Sequence, residues 1–243
     1  MDFVNAIVLL SNFVIVPALS YGSQLALGAI GVTLVYGILR FANFAYGDLM
    51  AFGTMFAILF TWFFQSIGIS LGFLPTALLA IPFAIIIAIL FSLLIDKFVF
   101  SYYRIKKSPP VTLAMVSIGV MFVINAIIRI IIGPFDRRFF DGERFIIRAN
   151  EFKEMTGLNE GLAIKSTEVL TLFVTIVVAS ILFWFLNKTR TGKSMRAYSD
   201  NEDLALLSGI SPERVVMITW IIAAILATIA GTLYGLDLSL IHI

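Results

Sequence analysis

The chain of 243 residues has no cysteine, a single histidine and few charges, at 13% of residues against roughly 25% in soluble domains. Without cysteine, disulfides and thiolate zinc sites are excluded; with only His242, so are histidine metal triads. A lone terminal histidine reads as incidental. The net charge is +2 and no basic run exceeds two residues, so the concentrated Lys/Arg surface that nucleic-acid phosphates demand is missing. Met1-Asp2-Phe3 also lacks the basic start of a signal peptide, and the first apolar run is expected to remain as a membrane span.

What the chain does have is apolar length, with 60% hydrophobic residues. Apolar stretches at about 3 to 19, 21 to 38, 43 to 64, 74 to 95, 111 to 132, 169 to 186 and 215 to 236 each approach the ~20 residues that cross ~30 Å of hydrocarbon as helix. Open sheets would leave backbone groups unpaired in lipid. The expected fold is therefore all-α: a polytopic transmembrane helical bundle of about seven segments, forming one domain over residues 1–243. The first segment is short and holds Asn5, Asn12 and Pro17; the third opens on Asn43, Gly47 and Asp48 and is expected to be broken or re-entrant.

Charge sets the orientation. Lys97, Arg104, Lys106 and Lys107 mark one connection and Lys188, Arg190, Lys193, Arg196 and Arg214 another, both cytoplasmic by the positive-inside rule. The connection between them, about 133–168, carries six basic and seven acidic residues and reads as external, with a small ordered turn. Counting back four segments puts the N-terminus inside. Small residues recur every four positions at Ala29, Thr33, Gly37, at Ala80, Ala84, Ala88, Ser92, and at Ala223, Ala227, Gly231, Gly235, which predicts close helix packing.

Polar residues at membrane depth usually face a bundle interior, a partner charge or water. Thr33, Tyr36, Asn43, Tyr46 and Asp48 are candidates for lining a substrate path; the competing reading is a structural turn with Asp48 capping the next helix. Arg40 and Asp48 are spaced to pair across such a break. Asn125 and Arg129 share one helical face without an assigned role. Gly192-Lys193-Ser194 is not a phosphate-binding loop, because Asn187 stands where a further Gly is required and an apolar helix precedes it. It reads instead as the basic flank of a helix.

Residues 22–53 read Gly-Ser-Gln-Leu-Ala-Leu-Gly-Ala-Ile-Gly-Val-Thr-Leu-Val-Tyr-Gly-Ile-Leu-Arg-Phe-Ala-Asn-Phe-Ala-Tyr-Gly-Asp-Leu-Met-Ala-Phe-Gly. This run resembles the inner-membrane permeases of branched-chain amino acid ABC importers, which carry Ala-Ile-Gly-x-Thr-x-Val-Tyr-Gly-Ile followed by Asn-Phe-Ala-x-Gly-[Asp/Glu]. A second block, from Thr191-Gly-Lys-Ser-Met-Arg-Ala through Asp200, Ala205, Leu207, Gly209-Ile210 and Arg214-Val215 to Ala227–Gly231, is similar to the family's cytoplasmic loop and following span. Tyr46 departs from the His common at that motif position. The family also continues for several spans past Gly235, so the chain is expected to be truncated or divergent at its C-terminal end.

The resemblance implies a permease that works with a second permease, two cytoplasmic ATPase subunits that bind the ATP, and a periplasmic binding protein, in the bacterial inner membrane. This chain would hold no cofactor or metal and perform no chemistry. Its ATPase-facing loop, about 187–214, would dock through Glu202, Leu204, Ala205 and Gly209. An acidic helix start, small Ala205, apolar neighbours and a Gly stop suit a short docking helix; a solvated helix capped by Ser199 or Asp200 is the plainer reading. Gly37, Ala227, Gly231 and Gly235 are expected to pack helices. A urea or short-amide permease of the same family is the first alternative. An ion-coupled secondary carrier would need embedded carboxylates in matched halves, and an intramembrane aspartyl protease two facing Asp residues; neither pattern is evident in the sequence.

Overall fold

The structure is a computed structural model that describes residues 2–69, 71–72, 74–135, 137–139 and 145–241; His242 lies outside them. Six helices among these residues are long and apolar enough to cross a membrane. They are α1 (Phe3–Leu39), α2 (Tyr46–Ser66), α3 (Ala77–Ile105), α4 (Pro110–Ile132), then, after β1 (Phe145–Ile147), α5 (Ala149–Thr156) and β2 (Ile164–Lys165), α6 (Ser166–Lys188). The short helices α7 (Arg190–Asp200) and α8 (Glu202–Leu207) precede α9 (Pro212–Ile241), whose stretch to Leu238 is the sixth candidate span. The all-α multi-pass bundle is as expected, whereas the first two apolar segments are one helix.

The fusion has a local cause. Pro17 has no N–H to give the preceding turn, but the chain widens into a π turn over Ser11–Ile15, where Val16 N–H bonds the Ser11 carbonyl five residues back. The helix passes the proline unbroken. One crossing fewer reverses the inferred position of the N-terminal residues. The Arg40 guanidinium donates to the Ser199 carbonyl in α7, and Ser199 Oγ donates to the Gly37 carbonyl at 2.9 Å, so the C-terminal end of α1 lies with the basic connections. At the opposite end, Asn12 Oδ1 accepts the Ala163 N–H at 3.0 Å, in the connection between α4 and α6. That connection contains the anticipated ordered element, α5 and an antiparallel β1–β2 pair that sets Ile147 against Ile164.

Helix α9 is the centre of the bundle and packs against α1, α2 and α3. Its stripe fits the packing expectation: Ala223 and Ala227 are fully buried, and a Cβ on Gly231 would meet Thr54 Oγ1 and, at 2.7 Å, the Met50 carbonyl of α2. Gly53 of α2 sits against Thr228 with the same intolerance, so the two helices touch nearly backbone to backbone. Such approach maximises dispersion where lipid offers no hydrophobic preference. In α3, Ala80, Ala84, Ala88 and Ser92 are all buried, and Ser92 Oγ lies 3.4 Å from the Trp220 carbonyl of α9. The α1 stripe is different. Ala29 and Thr33 are exposed, because α1 buries the neighbouring face of Gln24, Leu27, Gly28, Gly31 and Val35.

Candidate functional site

The junction before α2 comes first. Arg40 adopts a left-handed conformation (φ 58°) and ends α1, and α2 restarts at Tyr46, itself continuous. The break therefore precedes α2 and does not interrupt it. Phe44 N–H donates to Ser117 Oγ at 3.0 Å, and Ser117 lies seven residues, ~10 Å, inside α4. Ala45 N–H donates to Asn43 Oδ1 (3.1 Å) and Tyr46 N–H to the Asn43 carbonyl (3.3 Å). Irregular backbone is tolerable at this depth only because protein atoms satisfy it.

Asp48 does not cap α2; it accepts a hydrogen bond from Asn125 Nδ2 of α4 at 3.3 Å. Nor does it pair with Arg40, which is held by the Ser199 carbonyl. Tyr46 is buried, its hydroxyl 3.3 Å from the Ala223 carbonyl and lodged in the notch left by Gly31, where any side chain would collide with it. Tyr46→Phe is expected to cost about 1 kcal/mol through the lost hydrogen bond, read as a lower thermal midpoint in detergent with the helical signal unchanged. Thr33 and Tyr36 lie on the exposed face of α1, Thr33 bonded to its own helix at the Ile30 carbonyl (2.9 Å). Asn43 borders a void of about 10 Å³ beside Ser92 and Trp220.

A cleft of about 560 Å³ lies between α2, α4 and α9, within the range of small-molecule sites. Gly47, Asn125, Arg129 and Tyr234 line it, with Gly133–Phe135 and Arg137 at the end away from the basic connections. Gly231 and Gly235 serve twice, admitting α2 and forming cleft wall. Of the five path candidates, Asp48 alone comes to the cleft's border, through Asn125. Asn125 and Arg129, without a role in the sequence reading, are marked by being a polar pair one turn apart on a largely apolar helix.

At the other end, α6 turns sharply into α7. Thr189 Oγ1 accepts the Gly192 N–H at 3.0 Å, and a Cβ on Gly192 would run into the α6 backbone, with Leu186 Cα at 2.6 Å. The Gly-Lys-Ser run thus begins a helix. Asn201, and neither Ser199 nor Asp200, caps α8, its Oδ1 accepting Leu204 N–H at 3.0 Å. The Tyr198 hydroxyl donates to Glu202 Oε1 at 2.7 Å. Burial, and then this bond to a carboxylate, raise Tyr198 well above the ordinary phenol range, so it stays a donor throughout the physiological range. Helix α8 ends in a left-handed Gly209 (φ 79°), with Ile210 N–H bonded to the Ala205 carbonyl at 3.0 Å. Ala205 is buried, while Leu204 and Leu207 are 61% and 86% exposed. Three residues after Gly209, Pro212 begins α9.

Membrane-length helices, a cleft between three of them and an exposed apolar helix at the basic end define a multi-pass membrane protein. The chain belongs to the branched-chain amino acid transport system permease components, whose family model matches residues 14–243. This is a family of transport permeases, not of enzymes. The chain is 28% identical over 217 residues to the high-affinity branched-chain amino acid transport system permease protein LivH of Escherichia coli (strain K12), covering 88% of this chain and 67% of that protein. It is 28% identical over 237 residues to the permease protein BraD of the corresponding system of Pseudomonas aeruginosa, covering 94% and 72%. A probable branched-chain amino acid transport permease protein of Methanocaldococcus jannaschii is 27% identical over 220 residues, covering 89% and 64%. No solved structure gives a significant match.

Proposed function

We propose that this chain is the membrane-spanning subunit of an ATP-driven importer of branched-chain or other hydrophobic amino acids in the bacterial inner membrane. It acts with a second permease, two cytoplasmic ATPase subunits that hold the nucleotide, and a periplasmic binding protein. The observation that carries this reading is the continuity of α8 with α9. Leu204 and Leu207 face outward from α8, a buried Ala205 and the Gly209 turn fix α8 to the bundle, and α9 then forms one wall of the cleft. Displacement of α8 by an ATPase closing around nucleotide moves α9 against α2 and α4, and so changes access to the cleft.

Substrate passes down the cleft from the end near Arg137 towards the basic end, α2 and α9 being the pair whose close contact transmits the movement. The test is uptake by the complete transporter in proteoliposomes with ATP enclosed on the ATPase side. Leucine uptake is expected to require ATP and to survive ionophores. Uptake that ionophores abolish and nucleotide does not affect would replace this reading with an ion-coupled carrier.

A further inference from the structure

The cleft between α2, α4 and α9 has an amide and a cation side by side on α4, with Thr54 of α2, Tyr234 of α9 and Arg137 elsewhere in its wall. Its apolar lining includes Met50, Met55, Ile58, Ile128 and Ile132, and its polar groups on α4 are Asn125 and Arg129, one helical turn apart. Two features of this pair lack a structural purpose. The Arg129 side chain, exposed in the last turn of α4 and lining the cleft, has no hydrogen-bond or ion-pair partner among the described residues. Asn125 gives its amide nitrogen to the Asp48 carboxylate, which can only accept, so the orientation of the amide is fixed and Oδ1 is left as an unused acceptor on a residue that lines the cleft.

We propose that Arg129 and Asn125 recognise the two charged groups of a free amino acid: Arg129 holds the α-carboxylate, Asn125 Oδ1 accepts from the α-ammonium, and the Met and Ile wall receives the aliphatic side chain. Asp48 is a positioning residue. It acts through Asn125, setting the amide and placing a negative charge behind it. This assignment rests on the importer reading and sharpens it, because urea and short amides have no carboxylate for Arg129 to bind. A guanidinium matches a carboxylate with two parallel N–H donors, and the match gains strength where water is scarce. The cleft thus selects a zwitterion with an apolar tail.

The absence of cysteine makes the site directly testable, since Ile128→Cys introduces the subunit's single thiol within the cleft lining. In proteoliposomes holding the complete transporter, the rate of modification of this thiol by a water-soluble methanethiosulfonate added on the binding-protein side is measured on the isolated subunit by mass. Free leucine is expected to slow modification several-fold; leucinamide, which lacks the carboxylate, and 4-methylpentanoate, which lacks the ammonium, are expected not to. Adding Arg129→Gln should raise the leucine concentration for half protection roughly tenfold, as should Asn125→Ala, while Arg129→Lys, which keeps the charge, should recover much of the protection.

Equal protection by leucine and leucinamide, or protection indifferent to Arg129→Gln, would overturn the assignment, and so would a thiol that never reacts. ATP-dependent leucine uptake is recorded on the same vesicles. If it persists while protection ignores Arg129, this recognition site is wrong and the importer reading stands; if uptake proves independent of nucleotide, the importer reading fails whatever the protection pattern.

Discussion

Gly231→Leu is expected to destabilise the protein by at least about 3 kcal/mol and to lower the yield of folded protein in detergent severely. The Cβ alone would come within 2.7 Å of the Met50 carbonyl, and a helix backbone cannot swing aside as a flexible side chain does. The remaining Leu atoms would separate α2 from α9 along the line where Gly53 meets Thr228, forfeiting contacts of both glycines together. Gly231→Ala should fall between wild type and Gly231→Leu. Gly119→Leu is the control: Gly119 lies in α4 with nothing within 4 Å of its would-be Cβ, and this exchange should leave the thermal midpoint unchanged or slightly raised. Thermal unfolding and size-exclusion profiles of the three variants decide it, and a Gly231→Leu protein as stable as wild type would mean that α2 and α9 do not cross as described.

The double variant Leu204→Asp, Leu207→Asp is expected to fold normally yet reduce ATP-driven uptake roughly thirtyfold, the effect of losing about 2 kcal/mol at the centre of a docking surface. Both side chains are solvent-exposed, so their replacement removes partner contact and not internal packing. Substitutions at Ala205 or Gly209 do not separate the two. Ala205 is buried, so Ala205→Arg would unseat α8 itself, and Gly209→Trp would force a bulky residue into a left-handed conformation that costs roughly 1–2 kcal/mol. The informative measurement pairs uptake with co-purification of the ATPase subunits. Retained uptake in the exposed double variant would remove α8 as the docking element.

Much of the architecture was legible because lipid admits so few solutions: an apolar run of the right length becomes a helix whatever its neighbours do. The α3 and α9 small-residue stripes were readable for the same reason, since Ala84 or Gly231 has one principal use against another helix. In α1, Ala29 and Thr33 misled, as they keep the same four-residue spacing as the buried Gln24 and Gly28, and periodicity does not say which face meets the bundle. The count of about seven segments is not matched at Pro17, because the local π turn that carries the helix past the proline has no residue signature of its own.

For the site, the C-terminal end of α8 was evident from Gly209, whereas its cap, expected at Ser199 or Asp200, is Asn201. Tyr46 and Asp48 were conspicuous as polar residues in an apolar setting. Their partners, the Ala223 carbonyl and Asn125, are 177 and 77 residues away in the chain, and no local pattern connects them. Arg129 drew little notice because snorkelling explains a cation near a helix end; only the cleft beside it supplies another purpose.

The unbroken α1 has a bearing on the surrounding lipid. Its 37 residues make a rod of ~55 Å, and even slanted by ~40°, the steep end of the usual range, such a rod rises ~42 Å. That exceeds the ~30 Å of acyl chains and matches the ~40–45 Å reached when both headgroup layers are counted. The turn around Phe3, with its exposed ring, therefore inhabits the outer headgroup zone, while the exposed ring of Phe13, ~11 Å further along the slanted rod, meets acyl chains.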